Sequence, residues 1–137
     1  MDQTIIKSDK PYDSLCEKYG DNFYKMRFMP VIPIGDNTTI EKLDFLLDKK
    51  FPMYEIVFSK VNEEMLEHIK IKAKKNASLI WINSLWASLC GGYNDDKALT
   101  DPDGTWGVLI SKFGAGILQT DRPAYMIDYL KQKNMRD

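Results

Sequence analysis

Met53-Tyr54-Glu55-Ile56-Val57-Phe58 and Leu79-Ile80-Trp81-Ile82-Asn83 are two β-rich runs that flank a helical pattern, and this unit decides the fold. Similar runs begin at Thr4, Phe28 and Gly116. Short strands that alternate with helices are typical of βα units on a parallel sheet. We therefore predict five strands and five helices in strict alternation. Pro30 and Pro33 are expected to weaken the second strand, because proline cannot donate to a ladder.

Helix start and stop signals occupy the gaps between these runs. Asn62 precedes a segment with Glu63 and Glu64 in its first turn and lysines in its last, which matches the helix dipole. Thr38-x-x-Glu41 predicts a capping box for the helix before it. The other helices are predicted from Pro11 to Gly20, from Trp106 to Phe113, and from Pro123 onward.

The composition is that of one globular domain, which we place over residues 1–137. The chain is 44% hydrophobic and 28% charged, and 19 basic residues offset 20 acidic ones. A net charge of −1 therefore indicates neither nucleic acid nor an anionic membrane as partner. Residues 1–9 lack a signal-peptide pattern, and the longest nearly apolar run, residues 28–34, is far too short to span a membrane. We expect a chain that is neither exported by its own signal nor anchored.

One connection is longer than the others, about twenty residues from Trp86 to Thr105. Loops of this length are usually functional or disordered, and this one leaves the carboxyl end of a strand, where α/β proteins bind ligands. We interpret Asp95 and Asp96 as solvated loop charges or a lid contact. Asp101-Pro102-Asp103-Gly104 is interpreted as a turn, because no Glu closes a calcium-loop pattern downstream.

Few groups in the chain could perform catalysis. His68 is the only histidine and falls in the middle of a predicted helix, so we expect it at the surface or partly packed. Cys16 and Cys90 lie outside any C-x-x-C pair, and no motif supplies Cys90 with a base. We interpret Cys90 as an inert thiol. The sequence assigns no catalytic residue and no metal ligand.

Polar residues on two strands are more informative. Alternation places Trp81 and Asn83 on one side of their strand and its isoleucines on the other. Covering helices need aliphatic contacts, so we expect Trp81 and Asn83 to face the interior, near its open end. Glu55 faces the same way by the same alternation. A buried glutamate must be paired or protonated, and Lys7 is the cation available to pair with it or to bind a phosphate. An interior ion pair without a ligand is the alternative.

Two C-terminal motifs resemble a known family. Trp81-Ile82-Asn83 is similar to the Trp-Thr-Val-Asn strand of the glycerophosphodiester phosphodiesterases, with one residue lost or shifted. Residues 114–123 resemble the Gly-Ala-x-x-Ile-x-Thr-Asp-Arg-Pro pattern of that family's final strand. A Bacteroides-like bacterial subgroup resembles more of the chain. This wider resemblance is based on Ile5-Ile6-Lys7, Phe28-Met29-Pro30-Val31, Glu55-Ile56-Val57-Phe58, and residues 81–90 leading to Trp106-Gly107.

The resemblance implies a barrel hydrolase that cleaves glycerophosphodiesters with two histidines and a divalent cation, Mg²⁺ or Ca²⁺, bound by carboxylates. The His-Arg-Gly, His-Asp and early carboxylate motifs of the family are absent from this sequence, so the ligands of the cation lie outside this chain. A full barrel needs eight βα units and about 250 residues. The implied fold class is α/β, a partial TIM barrel of about five βα units.

The residues that carry over from the family belong to the pocket wall. The resemblance implies that Trp81 is a lid or stacking surface, that Asn83 and Lys7 are polar contacts to the substrate, and that Glu55 and Asp121 support them.

Two functions are open. One is the C-terminal part of a phosphodiester hydrolase of glycerophosphodiester and lipid metabolism, inactive alone, and the other is a non-catalytic module for a phosphate-containing ligand or a protein. An independent doubly wound domain is disfavoured, because no Gly-rich phosphate loop is present. An incomplete barrel has unpaired edge strands, so we expect an N-terminal half-barrel or a second copy as partner. Members of the subgroup are often exported, and the compartment stays open.

Overall fold

The computed structural model describes residues 4–136, apart from the side chain of Tyr24. Within this part of the chain, five strands alternate with helices. The strands are β1 (Ile5–Ser8), β2 (Arg27–Ile34), β3 (Met53–Phe58), β4 (Leu79–Asn83) and β5 (Ala115–Gln119). The α-helices are α1 (Tyr12–Tyr19), α2 (Ile40–Leu47), α3 (Glu63–Lys75), α4 (Asp95–Ala98), α5 (Val108–Ser111) and α6 (Pro123–Gln132). None of these described helices has the length and apolar character to cross a membrane.

The five strands form one sheet in the order β1-β2-β3-β4-β5, and every neighbouring pair is parallel. Sequential parallel strands require a helical crossover at each step. The predicted α/β class with five βα units is confirmed, and the arrangement is consistent with a partial βα barrel.

The helices pack on one face of this sheet, which we call the helix face. Its main core joins strand residues of alternating positions to apolar residues of α2, α3 and α5. The buried members include Ile32, Ile34, Tyr54, Ile56, Phe58, Ile80 and Ile82 from the strands, and Leu43, Leu47, Leu66, Ile69 and Leu109 from the helices. Helix α1 packs beside Ile6 and Phe28, and α6 packs beside Leu118. The opposite side, which we call the open face, therefore carries the intervening strand residues, Lys7, Met29, Val31, Glu55, Val57, Trp81, Asn83 and Ile117 among them.

The two prolines do not shorten the second strand. Strand β2 runs for eight residues through Pro30 and Pro33. It pairs with β1 through residues 27–30 and with β3 through residues 31–34. Since each neighbour uses only half of the strand, both prolines are accommodated.

The predicted N-caps of α2 and α3 are correct to within a residue. The carboxamide of Asn62 accepts a hydrogen bond from Met65 N at 3.2 Å, as expected for the N-cap of α3. The predicted capping box at Thr38 is wrong by one position, because Thr39 caps α2 by accepting from Lys42 N at 3.4 Å. The Thr38 hydroxyl instead accepts from Gly35 N at 3.0 Å and closes the turn after β2.

The long connection after β4 contains three short helical elements. It contains a 3-10 turn at Ala87–Leu89, helix α4, and a π-helical turn at Asp103–Gly107 that leads into α5. The helix predicted for residues 106–113 is therefore split between two elements. Gly91 anchors the connection to β3, since its N–H donates to Phe58 O at 2.7 Å. Its φ is +61°, and a β-carbon at this position would lie 2.9 Å from the Phe58 ring, so both the backbone and the packing favour glycine.

Candidate functional site

Lys7 and Glu55 form an ion pair on the open face. The lysine Nζ lies 2.8 Å from Glu55 Oε1 and 2.7 Å from Oε2. The Glu55 side chain is 2% exposed, whereas that of Lys7 is 42% exposed. The carboxylate is thus buried and its partner borders the solvent. An anion can therefore approach the exposed side of the Lys7 ammonium group while Lys7 stays paired with Glu55.

Trp81 lies beside Glu55, because the two residues are register partners on β3 and β4. Its indole Nε1 is buried and has no hydrogen-bond partner among the described residues. A buried indole N–H usually has an acceptor. The ring therefore presents an unused donor next to the ion pair. Trp81 lies on the face opposite Ile80 and Ile82, which belong to the helix-face core, as the alternation predicts.

Asn83 follows on the same strand, two residues closer to its carboxyl end, and is 5% exposed. Its Nδ2 donates to Gln119 Oε1 at 3.3 Å, and its Oδ1 accepts from Leu85 N at 3.0 Å. These bonds hold the amide between β5 and the start of the long connection. One Nδ2 hydrogen is left for another acceptor.

Asp121 lies apart from the other predicted residues, in the segment after β5. Its carboxylate is 58% exposed and lies 3.5 Å from Arg122 Nε. The Nη2 of Arg122 also binds Asp96 Oδ1 at 3.0 Å. The structure therefore brings the four predicted strand residues onto one face and leaves Asp121 beyond the end of β5, paired with its neighbour.

Asp95 is a buried hydrogen-bond hub that sequence reasoning missed. Its side chain is 1% exposed. The carboxylate accepts from Ser84 Oγ at 2.6 Å, Trp106 Nε1 at 2.9 Å, Thr120 Oγ1 at 2.8 Å and the backbone N of Asp121 at 2.9 Å. The prediction of a solvated charge is wrong for Asp95, because four donors replace its hydration. Asp96 is exposed, as expected.

The donors to Asp95 come from three separate segments of the chain. Ser84 follows β4, Thr120 and Asp121 follow β5, and Trp106 lies in the π-helical turn. The only sequence signal was a hydroxyl residue directly after each of two neighbouring strands. Asp95 thus ties the long connection to the carboxyl ends of β4 and β5, and it holds Asp121 in place through the backbone.

The other carboxylates of the connection are engaged by the protein. Asp101 Oδ1 accepts from Gly104 N at 2.9 Å, which supports the interpretation as a turn. Asp103 accepts from Lys133 Nζ and from the Tyr129 hydroxyl, both at 2.9 Å. These two hydrogen bonds lower the pKa of Asp103, the one from Lys133 most. Burial and the bond to Asp103 raise the pKa of Tyr129 to about 12.

His68 and Cys90 lie outside the open face. His68 is partly packed on α3, and its Nε2 lies 2.7 Å from Asp44 Oδ1. Hydrogen bonds from His68 first and Lys72 second lower the pKa of Asp44. Cys90 is fully buried, and burial first and the Asp95 charge second raise the pKa of its thiol to about 11. The thiol is protonated at neutral pH, which supports its interpretation as inert.

Residues 28–130 match the family model DUF4996, described as a domain of unknown function. The chain belongs to the DUF4996 family. The match includes Glu55, Trp81, Asn83, Asp95 and Asp121, whereas β1 with Lys7 precedes it. No protein of curated function matches the chain.

The open face of this DUF4996 chain does not fit a divalent cation, which the resemblance to glycerophosphodiester phosphodiesterases implies. In residues 4–136, no three His, Cys, Asp or Glu residues are grouped so that they could hold a metal ion. Glu55 is the only acidic residue of the five strands, and Lys7 neutralises it. A hard cation needs several oxygen ligands. The side chains described here do not supply them.

A polar cleft of about 680 Å³ lies at the carboxyl ends of β2 and β3 in this DUF4996 fold. Its polar lining includes Asp36, Thr38, Ser59, Lys60 and Asn62. The carboxyl ends of parallel strands form the ligand-binding edge of βα barrels. The cleft and Asn83, which is the last residue of β4, thus both lie at that edge.

Proposed function

We propose that the chain is the C-terminal part of a glycerophosphodiester phosphodiesterase-like hydrolase, and that it forms the wall of a phosphodiester pocket. The observation that supports this best is the juxtaposition of Lys7, Glu55 and Trp81 on the open face of a sequentially ordered parallel sheet. In a closed βα barrel this face lines the interior.

Each of the five predicted site residues has a distinct task in this proposal. The half-exposed ammonium of Lys7 binds a phosphate oxygen, and the buried carboxylate of Glu55 holds that ammonium in position. The Trp81 ring covers the glycerol or head group, with its free N–H directed to an oxygen acceptor. Asn83 supplies a further N–H. Asp121 supports the wall at the end of β5.

The proton transfers of the reaction come from another polypeptide segment in this proposal. Phosphodiester hydrolysis with a poor leaving group needs a general acid and a general base. The lone histidine is bound to Asp44 on the helix side, and Cys90 is a buried, protonated thiol. We therefore propose that an N-terminal half-barrel contributes the two histidines and the carboxylates for Mg²⁺ or Ca²⁺. The chain by itself is then inactive.

A non-catalytic binding module is the second candidate. The observation that favours it is the completeness of the Lys7–Glu55 pair, which balances its own charge without a ligand. In this case the open face binds a phosphate-containing ligand or a protein, and no reaction follows. If the chain is such a module, a second copy that pairs with its strand edges is one of the possible protein partners.

Hydrolysis of glycerophosphocholine in the presence of Mg²⁺ or Ca²⁺ tests the proposal. The chain is assayed alone and mixed with the N-terminal portion of a glycerophosphodiester phosphodiesterase that carries the His-Arg-Gly and His-Asp segments. We expect activity only in the mixture. Trp81→Ala should lower kcat/KM about tenfold or more in the mixture, whereas Trp86→Ala, which removes a tryptophan that is 65% exposed, should leave it unchanged.

The remaining outcomes separate the candidates. Activity of the chain alone would contradict the proposed need for a second segment. The binding module would be favoured if neither sample hydrolyses glycerophosphocholine, calorimetry shows that the chain binds it, and Trp81→Ala abolishes that binding.

A further inference from the structure

The two edge strands of the sheet border grooves of different chemistry. In the described part of the chain, β1 pairs only with β2, and β5 pairs only with β4. A groove of about 780 Å³ runs along β1 and α1, and another of about 510 Å³ runs along β5 and α6. An unpaired strand edge beside a groove is a site where a further βα unit can add its strand and its helix.

The groove beside β1 is basic. Its charged lining residues are Lys7, Lys10 and Lys18, and none of the residues that line it is acidic. Lys7 is already paired with Glu55. Among residues 4–136, neither Lys10 nor Lys18 has an ion-pair partner, although Lys18 Nζ lies 5.1 Å from the centre of the Tyr19 ring. The groove therefore offers two free ammonium groups next to apolar surface, Tyr19 and Met26 being 50% and 38% exposed.

The groove beside β5 is apolar by comparison. Leu118 of β5 and Met126, Ile127 and Leu130 of α6 line it, and Arg136 is its only charged residue. The two edges of the sheet thus share the backbone geometry of a parallel strand but differ in charge.

We propose that the β1 edge binds a parallel βα segment whose helix directs carboxylates at Lys10 and Lys18. This inference rests on the proposed function in that the segment is the neighbouring unit of the complementary half-barrel. Its strand pairs with β1, and its helix lies over the basic groove beside α1. Opposite charges across the groove select this partner and its orientation, because like charges in the same place are costly.

A second copy of the chain fits the β1 edge poorly. If a copy added its β5 edge to β1, its apolar groove with Arg136 would lie next to Lys10 and Lys18. If it added its own β1 edge, lysines would face lysines. The residues that line the two grooves include no carboxylate, so the charge of the grooves favours a different, acidic segment.

Binding of the N-terminal portion of a glycerophosphodiester phosphodiesterase to the full chain tests the inference. The double variant Lys10→Glu/Lys18→Glu should weaken this binding about tenfold or more, and raised salt should weaken it for the wild type. Lys10→Arg/Lys18→Arg should retain affinity. The matched control is Lys74→Glu/Lys75→Glu, which reverses two exposed lysines at the end of α3, and it should change the affinity less than about twofold. Circular dichroism checks that each variant is folded.

A second probe is independent of the barrel proposal. It is a synthetic amphipathic helix of about fourteen residues with leucines on one face and glutamates on the other, compared with the same peptide carrying lysines. The glutamate peptide should bind the wild type and not Lys10→Glu/Lys18→Glu, and the lysine peptide should not bind the wild type.

The outcomes distinguish the two proposals. If the N-terminal portion binds wild type and Lys10→Glu/Lys18→Glu equally, the inference is overturned while the half-barrel function stands. If that portion does not bind but the glutamate peptide does so through the two lysines, the half-barrel function fails and the acidic-partner inference stands. Equal binding of both peptides, or of neither, overturns the inference. A dimer of the wild-type chain that Lys10→Glu/Lys18→Glu disrupts would also overturn it, in favour of a second copy.

Discussion

Lys7 of β1 and Glu55 of β3 are joined across the intervening strand β2, with the lysine Nζ 2.8 and 2.7 Å from the two carboxylate oxygens. Two strand spacings separate their backbones, roughly 10 Å in a flat sheet. The lysine side chain covers this distance over the open face. The pair therefore fastens an edge strand to the centre of the sheet and places its only acidic strand residue beside Trp81.

Removing one partner of this pair should lower the free energy of unfolding more than removing both. Lys7→Met leaves a buried carboxylate unpaired, and we expect a loss of about 2 kcal/mol in the free energy of unfolding, below the value for fully buried pairs because Lys7 borders the solvent. Lys7→Met/Glu55→Gln should regain most of it. Urea unfolding measures the cycle, with Lys10→Met as an exposed control within about 0.5 kcal/mol of wild type. Equal losses for the single and double variants would refute a coupled pair.

Asp95 should be more important for stability than its exposed neighbour. Asp95→Ala leaves four donors without their acceptor and should cost about 3 kcal/mol or more. Asp96→Ala removes an exposed ion pair with Arg122 and should cost less than about 1 kcal/mol. Chemical denaturation of both variants gives the comparison. A smaller loss for Asp95→Ala than for Asp96→Ala is the contrary result.

Two tryptophans differ in what their indole nitrogens do. Trp106→Phe removes a donor to Asp95 from a residue that is 1% exposed, whereas Trp81→Phe removes a buried N–H that has no partner in the described residues. Losing an unpaired buried donor offsets part of the lost packing. We expect Trp106→Phe to lower the free energy of unfolding by about 1–2 kcal/mol more than Trp81→Phe. Similar losses for both would show that the Trp81 N–H is satisfied.

The thiol of Cys90 should react slowly and with a steep dependence on pH. Its pKa of about 11 lies above the ordinary 9.0, so the thiolate fraction at pH 8 is about a hundredfold lower than that of an unperturbed thiol. A Cys16→Ser variant isolates this thiol for alkylation by iodoacetamide, with the urea-unfolded protein as reference. Rapid alkylation of the native protein at pH 8 would disprove the assignment.

The raised pKa of Cys90 also has a consequence for stability. The fold favours the neutral thiol, so this contribution is fully present below pH 9 and is lost as the pH rises towards about 11. Cys90→Ala should therefore lose less stability than the wild type between pH 8 and pH 10.5. Unfolding by urea at both pH values measures the difference.

The positions of the strands were predictable because the signals for them are local. The runs at 53–58 and 79–83 coincide with β3 and β4, and alternation within each run assigned Glu55 and Trp81 to the same face. A strand has a period of two residues, so its two faces can be told apart without knowledge of its neighbours. The N-cap at Asn62 is local in the same sense.

The Asp95 hub was not predictable, because its donors come from segments up to 26 residues away in sequence. The same applies to α4, which the polar residues of the long connection did not indicate. The cap of α2 was displaced by one residue because Thr38 is used by the turn that follows β2. In each case a contact made by another segment outweighed the local preference.

By itself, the sequence determined five βα units, the residues that share each strand face, and a lysine and a glutamate suited to pair. Only the tertiary structure decided that β1 lies two strands from β3, so that Lys7 reaches Glu55, and that Asp95 is buried rather than solvated. The physical reason is range. Backbone periodicity and caps depend on residues a few positions apart, whereas burial and hydrogen-bond partners depend on how distant segments pack.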